Sequence, residues 1–216
     1  TGFTGTLAGT FGLTINGETP GWISLIFATA TGTNFNYTGP ITFTGTGVTH
    51  GYINTGGQII SSNITFNGAG SSWGPYYYHF ITSLTATVTL ISGNLDISQA
   101  SMSVGLFVST GNVARSISIN NSVNFNIIGA GTIWNVTGTN FSITDFSGLG
   151  IFFTNASSSA KTIINSAPLV GGSYYNMSLL GNGTGAYSLT GNFYRIYATN
   201  TGGATLSFGV SNIQTL

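Results

Sequence analysis

The 216-residue chain has no cysteine, and only six residues carry a formal charge: Glu18, Asp96, Asp145, Arg115, Lys161 and Arg195. Without cysteine there is no disulfide framework, so durability in an oxidising environment must come from strand pairing, glycans or assembly. Soluble domains commonly carry about a quarter charged residues, against 3% here with a formal net charge of zero. That balance leaves no basic patch for nucleic acid or for an anionic membrane surface. No apolar run approaches the roughly 18 residues of a membrane-spanning helix, the longest lying around Ile23 to Ala28. Thr1 is not a methionine and no signal peptide is visible, which fits an exported mature chain.

The same scarcity limits chemistry. Three carboxylates and two histidines, His50 and His79, leave little to titrate, so the fold is expected to persist into acid. A glycosidase-like carboxylate pair would have to use two of Glu18, Asp96 and Asp145. Asp145-Phe146-Ser147-Gly148 does not reproduce the Asp-Thr/Ser-Gly turn of an acid protease, and no Gly-X-Ser-X-Gly elbow marks a serine nucleophile. Two histidines and three separated carboxylates make a weak metal site. Each histidine is expected to be a strand or loop residue with a satisfied hydrogen bond. Arg115, on the apolar phase of its strand, implies a strand end or an ion pair. The chain is therefore expected not to be an enzyme and to use no cofactor.

What remains is rich in Thr, Ser, Asn and 33 Gly, with 41% hydrophobic residues and 13% aromatics. Disordered chains lack such aromatic and β-branched content, and the length suffices for one substantial core. Apolar residues recur with period two. Val113, Ile117, Ile119, Val123, Phe125 and Ile127 share one phase, as do Tyr76, Tyr78, Phe80, Leu84, Ala86, Val88 and Leu90. Turn-forming clusters separate the strands, among them Asn54-Thr55-Gly56-Gly57 and Gly129-Ala130-Gly131. Short strands punctuated by glycine turns predict an all-β fold, an antiparallel β-sandwich of jelly-roll type. The Thr-Gly recurrences, such as residues 44 to 47, keep no fixed period, which weighs against a solenoid.

The first segment stands apart. From Phe3 to Ile15 every odd position is apolar or glycine and every even position is Thr, Ala or Gly, until Asn16-Gly17-Glu18-Thr19-Pro20-Gly21 breaks the pattern. Burying Phe3, Leu7, Phe11, Leu13 and Ile15 yields about 8 to 15 kcal/mol gross, so the strand needs a covering surface. It is either the first strand of its own sandwich or a donor strand that completes the sheet of a neighbour. The domain reading is accordingly a tail over residues 1–15 and a β-sandwich head over 16–216.

On this alternating tail, the cysteine-free β body and the glycosylation sequons, the chain resembles archaeal secreted filament subunits assembled by donor-strand complementation, of the thread and bundling-pilus type. The resemblance implies a glycosylated, extracellular cell-surface filament in which the tail enters the next subunit, a head-to-tail homopolymer. Asn-X-Ser/Thr occurs at Asn36, Asn63, Asn120, Asn135, Asn140, Asn155, Asn176 and Asn182. Eight is no significant excess over random placement in this composition, so the expectation of N-linked glycans rests on the need to solvate an uncharged surface. Trp73 and Tyr76 to Tyr78, beside Gly74-Pro75, are the best candidates for a surface or glycan contact. Two other functions fit the composition: a viral jelly-roll capsid or spike protein, and a carbohydrate-binding adhesin domain.

Overall fold

The computed structural model describes residues 6–16, 25–26, 34–120, 123–145, 150–167, 176–199 and 202–215. Over these residues the chain is all-β and coils as a parallel β-solenoid of about seven turns. The strands β1 (Thr6–Gly9), β2 (Leu13–Ile15) and β3 (Leu25–Ile26) pair one for one with β4 (Asn34–Tyr37), β5 (Ile41–Phe43) and β6 (Gly51–Asn54). These three pairs define three sides of the coil. After β7 (Ile59–Ile60), the long β8 (Ile64–Pro75) bends, its first part pairing with β5 on the second side and its last part with β6 on the third. The same course runs through β9 (Phe80–Thr82), β10 (Thr87–Ile97), β11 (Met102–Val104), β12 (Leu106–Ser109), β13 (Arg115–Ile119), β14 (Phe125–Ile127), β15 (Gly131–Val136) and β16 (Phe141–Asp145). The strands β17 (Ile151–Phe153), β18 (Lys161–Asn165), β19 (Asn176–Leu179), β20 (Tyr187–Ala198) and β21 (Leu206–Thr215) complete it.

The antiparallel β-sandwich expected from the sequence is therefore wrong: every pairing among the described residues is parallel. Period-two alternation places one face inside whether the neighbouring strand is a hairpin partner or the next turn of a coil. Direction is set by the return path, and here each strand meets its partner a full turn later. That separation varies, with Thr87 beside Leu106, Ile41 beside Ile64 and Trp134 beside Ile163, so no fixed period is visible. The glycine clusters are corners of the coil. At one of them Asn54 Oδ1 accepts the Gly56 amide at 2.9 Å, and Gly56 and Gly57 adopt φ of 59° and 81° as the chain passes from the third side to the first.

Stacking in register builds the core as ladders. On the second side Leu13, Ile41, Ile64, Val88, Phe107, Trp134, Ile163, Leu189 and Phe208 lie one above another. The Phe107 and Trp134 rings stack with centroids 4.8 Å apart, and the Phe43 and Phe66 rings at 5.1 Å. On the third side Gly51 pairs with Trp73, and a Cβ at Gly51 would lie 2.1 Å from the buried indole, so the ladder needs a glycine there. Three residues of the two sequence phases, Tyr78, Leu84 and Val113, are exposed because they lie at corners, where the phase does not carry over between strands.

Candidate functional site: two open ends and a lateral face

The strand β21 pairs only with β20 among the described residues, leaving its outer backbone edge unpaired. Its inward phase follows that of β20, with Leu206 beside Tyr187, Phe208 beside Leu189 and Ile213 beside Phe193. Those three neighbours are buried, whereas Phe208 is 42% exposed because no further rung among the described residues covers it. An apolar ladder and an unpaired edge thus coincide at this end.

At the other end the tail divides. Leu7 lies in β1, beside Phe35 of the same chain, while Leu13 and Ile15 lie in β2 and pack partly buried against the core. Phe11 falls in the break between them, 88% exposed, with its carbonyl accepting from the Tyr37 hydroxyl. Phe3 and Glu18 lie outside the described residues. Over its described part, residues 6–15, the single thirteen-residue strand expected from the alternation is two short strands on two sides of the coil, and its phase breaks at the corner. In this structure both segments pair within their own chain.

Along the corner between the second and third sides runs a groove of about 800 Å³, lined by residues 48–50, 70–72, 93–94, 114–116 and 140–142 from five successive turns. Its third-side wall is a polar ladder, Ser72, Asn94, Ser116 and Ser142, stacked in register. Asn94 donates to Ser72 Oγ at 3.0 Å and accepts from Ser116 and Ser118 at 2.8 and 3.1 Å. The half-exposed Asp96 lies two residues further along the same outward phase, with no hydrogen bond or ion pair among the described residues. At the amino-terminal end of this side the rings of His50 and Tyr52 stack at 5.9 Å, Tyr52 and Tyr76 at 4.3 Å, and Tyr76 meets Tyr77 at 4.0 Å. Burial, and then the nearby Asp96 carboxylate, push the Tyr52 phenol up from its ordinary value. Tyr77 is 74% exposed and has φ of 63°, a left-handed conformation uncommon for so bulky a side chain. Trp73, expected at the surface with these tyrosines, is buried in the core.

Arg115 does sit at a strand end, but no acidic residue pairs with it among the described residues. Its five N–H donors are taken by Ser109 Oγ and the carbonyls of Val113, Thr139, Ser109 and Thr137. Lys161 is likewise buried, its Nζ 2.9 Å from the Ser157 and Ser159 carbonyls and 5.1 Å from the Tyr187 ring centre. Burial lowers the pKa of both groups. Each cation ties a corner of the coil by bonding several backbone carbonyls around it. Sequence alternation pointed to the position of Arg115, but nothing local predicted carbonyl partners from other turns.

Neither histidine completes a catalytic triad among the described residues. His79 Nε2 lies 2.8 Å from Ser103 Oγ, Ser103 Oγ accepts from Asn126 Nδ2 at 3.1 Å, and among the described residues no acidic side chain bonds the ring. Among the described residues no group of three or more His, Asp or Glu is placed to hold a metal. The sequons differ in setting: Asn36, Asn63, Asn120 and Asn182 are exposed, and Asn135, Asn155 and Asn176 half-buried. Asn140 is exposed but donates its amide to the Asn112 carbonyl at 2.9 Å, and Asn155 donates to the Ile128 carbonyl at 2.6 Å. Comparison with known proteins finds no matching family model, no similar curated protein and no similar solved structure.

Proposed function

We propose that the chain is a structural subunit of an extracellular, cell-surface filament, joined head to tail by the amino-terminal strands of one copy pairing with β21 of the next. The observation that carries this reading is the half-exposed Phe208 at the end of an otherwise buried ladder, beside an unpaired strand edge. Leu13 starts the same second-side ladder that Phe208 ends. A second copy stacked in parallel therefore continues both the backbone pairing and the apolar column. Such a contact joins two different surfaces, so it repeats without closing unless the rotation per subunit forms a ring. Strand addition here extends a coil, and it needs no empty groove in a sandwich.

The scarcity of charge is consistent with stacking copies that do not repel one another. N-linked glycans on the exposed sequons would keep the sides of the filament apart while leaving its ends free to join. Negative-stain microscopy of the native protein, beside a chain lacking residues 1–15, tests the reading. Fibres from the native chain and none from the truncated one are expected; fibres of normal appearance from the truncated chain would overturn it.

A further inference from the structure

We propose that the third side of the solenoid binds an unbranched, neutral glycan laid along the coil axis, with the tyrosine cluster as a stacking platform and Asp96 as a hydroxyl acceptor. Five turns line the groove, and with neighbouring strands about 4.8 Å apart they span roughly 19 Å, room for several pyranose rings end to end; Asp96 and Tyr52 lie beside the groove, two residues along from its lining residues Asn94 and His50. The wall repeats one pattern, a small hydroxyl or amide per turn: Ser72, Asn94, Ser116 and Ser142. A polymer with a regular array of hydroxyls matches that repeat.

Three observations select this ligand over others. A peptide cannot add as a strand here, because β8, β10 and β13 have paired neighbours on both edges. An anion finds no donor in Arg115, the one cation in the groove, whose five N–H groups are already bonded to the protein. The carboxylate of Asp96, by contrast, makes no hydrogen bond or ion pair among the described residues and lies half-exposed beside the ladder, near the Tyr52 phenol. An unpartnered carboxylate accepts from adjacent hydroxyls, and an exposed aromatic face stacks on the C–H face of a sugar ring. The left-handed Tyr77 holds its ring out in solvent at the cost of an unfavourable backbone.

The test is calorimetry on the full chain with neutral hexasaccharides: β-1,4-glucan, β-1,4-xylan, β-1,4-linked N-acetylglucosamine and α-1,6-mannan. At least one is expected to bind saturably, with an affinity unchanged between about 50 and about 500 mM salt because the ligand is uncharged. Tyr77→Asn keeps a residue that tolerates the left-handed backbone but removes the ring, and Asp96→Ala removes the acceptor. Each is expected to weaken binding roughly tenfold without lowering the melting temperature. Thr162→Ala, on the second side, should change nothing. The proposal is overturned if no hexasaccharide binds at millimolar concentration, if neither variant weakens binding, or if affinity falls steeply with salt. Phe208 variants that stop assembly should bind the glycan normally, so this site and the filament contact are tested separately.

Discussion

Replacing Phe208 separates the stability of one subunit from the joining of two. A phenylalanine side chain buries about 150 to 250 Å² when fully covered, and 42% of this one is still exposed. A second copy on β21 would therefore remove about 60 to 100 Å² more from water, or about 1.5 to 2.5 kcal/mol at 25 cal/mol per Å². Phe208→Ala should raise the critical concentration for assembly by roughly 10- to 70-fold. Phe208→Asp places a carboxylate at the apolar joint, which costs several kcal/mol and should abolish fibres at any practical concentration. Ser207→Asp adds the same charge on the exposed phase of the strand and should polymerise nearly normally. Sedimentation after a dilution series gives the critical concentration, and circular dichroism of the soluble fraction confirms that each variant is folded. Phe208→Ala assembling at the concentration of the unmodified chain would refute the reasoning.

Gly51→Ala should lower stability by about 1 to 3 kcal/mol, because its Cβ would lie 2.1 Å from the Trp73 ring. Trp73→Leu in the same chain should recover part of that loss, and denaturant melts of the single and double variants measure both. Burial lowers the His79 pKa, so the unfolded chain takes up its proton first as pH falls below about 6.5. The stability this group contributes is complete above that value and declines below it. With one partly accessible ring the decline should be shallow, and the folded circular dichroism signal should survive from about pH 7 to about pH 2; cooperative melting between about pH 5 and 3 would instead place a decisive ion pair at a carboxylate. Mass spectrometry of native protein should find glycans at Asn36, Asn63, Asn120 and Asn182, and none at Asn135, Asn140 or Asn155. A modified Asn155 would require breaking its bond to the Ile128 carbonyl.

The sequence disclosed the strands better than their arrangement. Ile117, Ile119, Phe125 and Ile127 are all buried, as their shared phase requires, yet they belong to two strands on different sides of the coil. Alternation reports which way a side chain points, and a corner of suitable length preserves it. Strand direction depends instead on what lies a turn away, and turns of unequal length hid the repeat. The polar ladder and the groove were illegible for the same reason, since Ser72, Asn94, Ser116 and Ser142 come together only once the register is known. The tyrosines beside Pro75 are legible in the sequence as a surface candidate, but nothing local separates Trp73 from them, because its burial depends on Gly51 in the neighbouring turn.

The feature that most set the sequence apart, its lack of charge, acquires a mechanical meaning in the coil. Parallel stacking places each outward residue about 4.8 Å from its counterparts in the turns above and below. Two like charges at that distance repel by about 1 kcal/mol in water and about 3.5 kcal/mol at an effective dielectric constant of 20. A charged residue is therefore tolerated only where its neighbours in the ladder are neutral, as Asp96 is beside Ser118. Hydroxyls and amides face no such limit, since each donates to one neighbour and accepts from another, as Asn94 does with Ser72 and Ser116. The same rule extends across a joint between copies, where β21 would meet the first strands of the next chain. Composition and assembly are thus linked through the rung spacing: a surface that can stack on itself within one chain is already suited to stacking on a second copy.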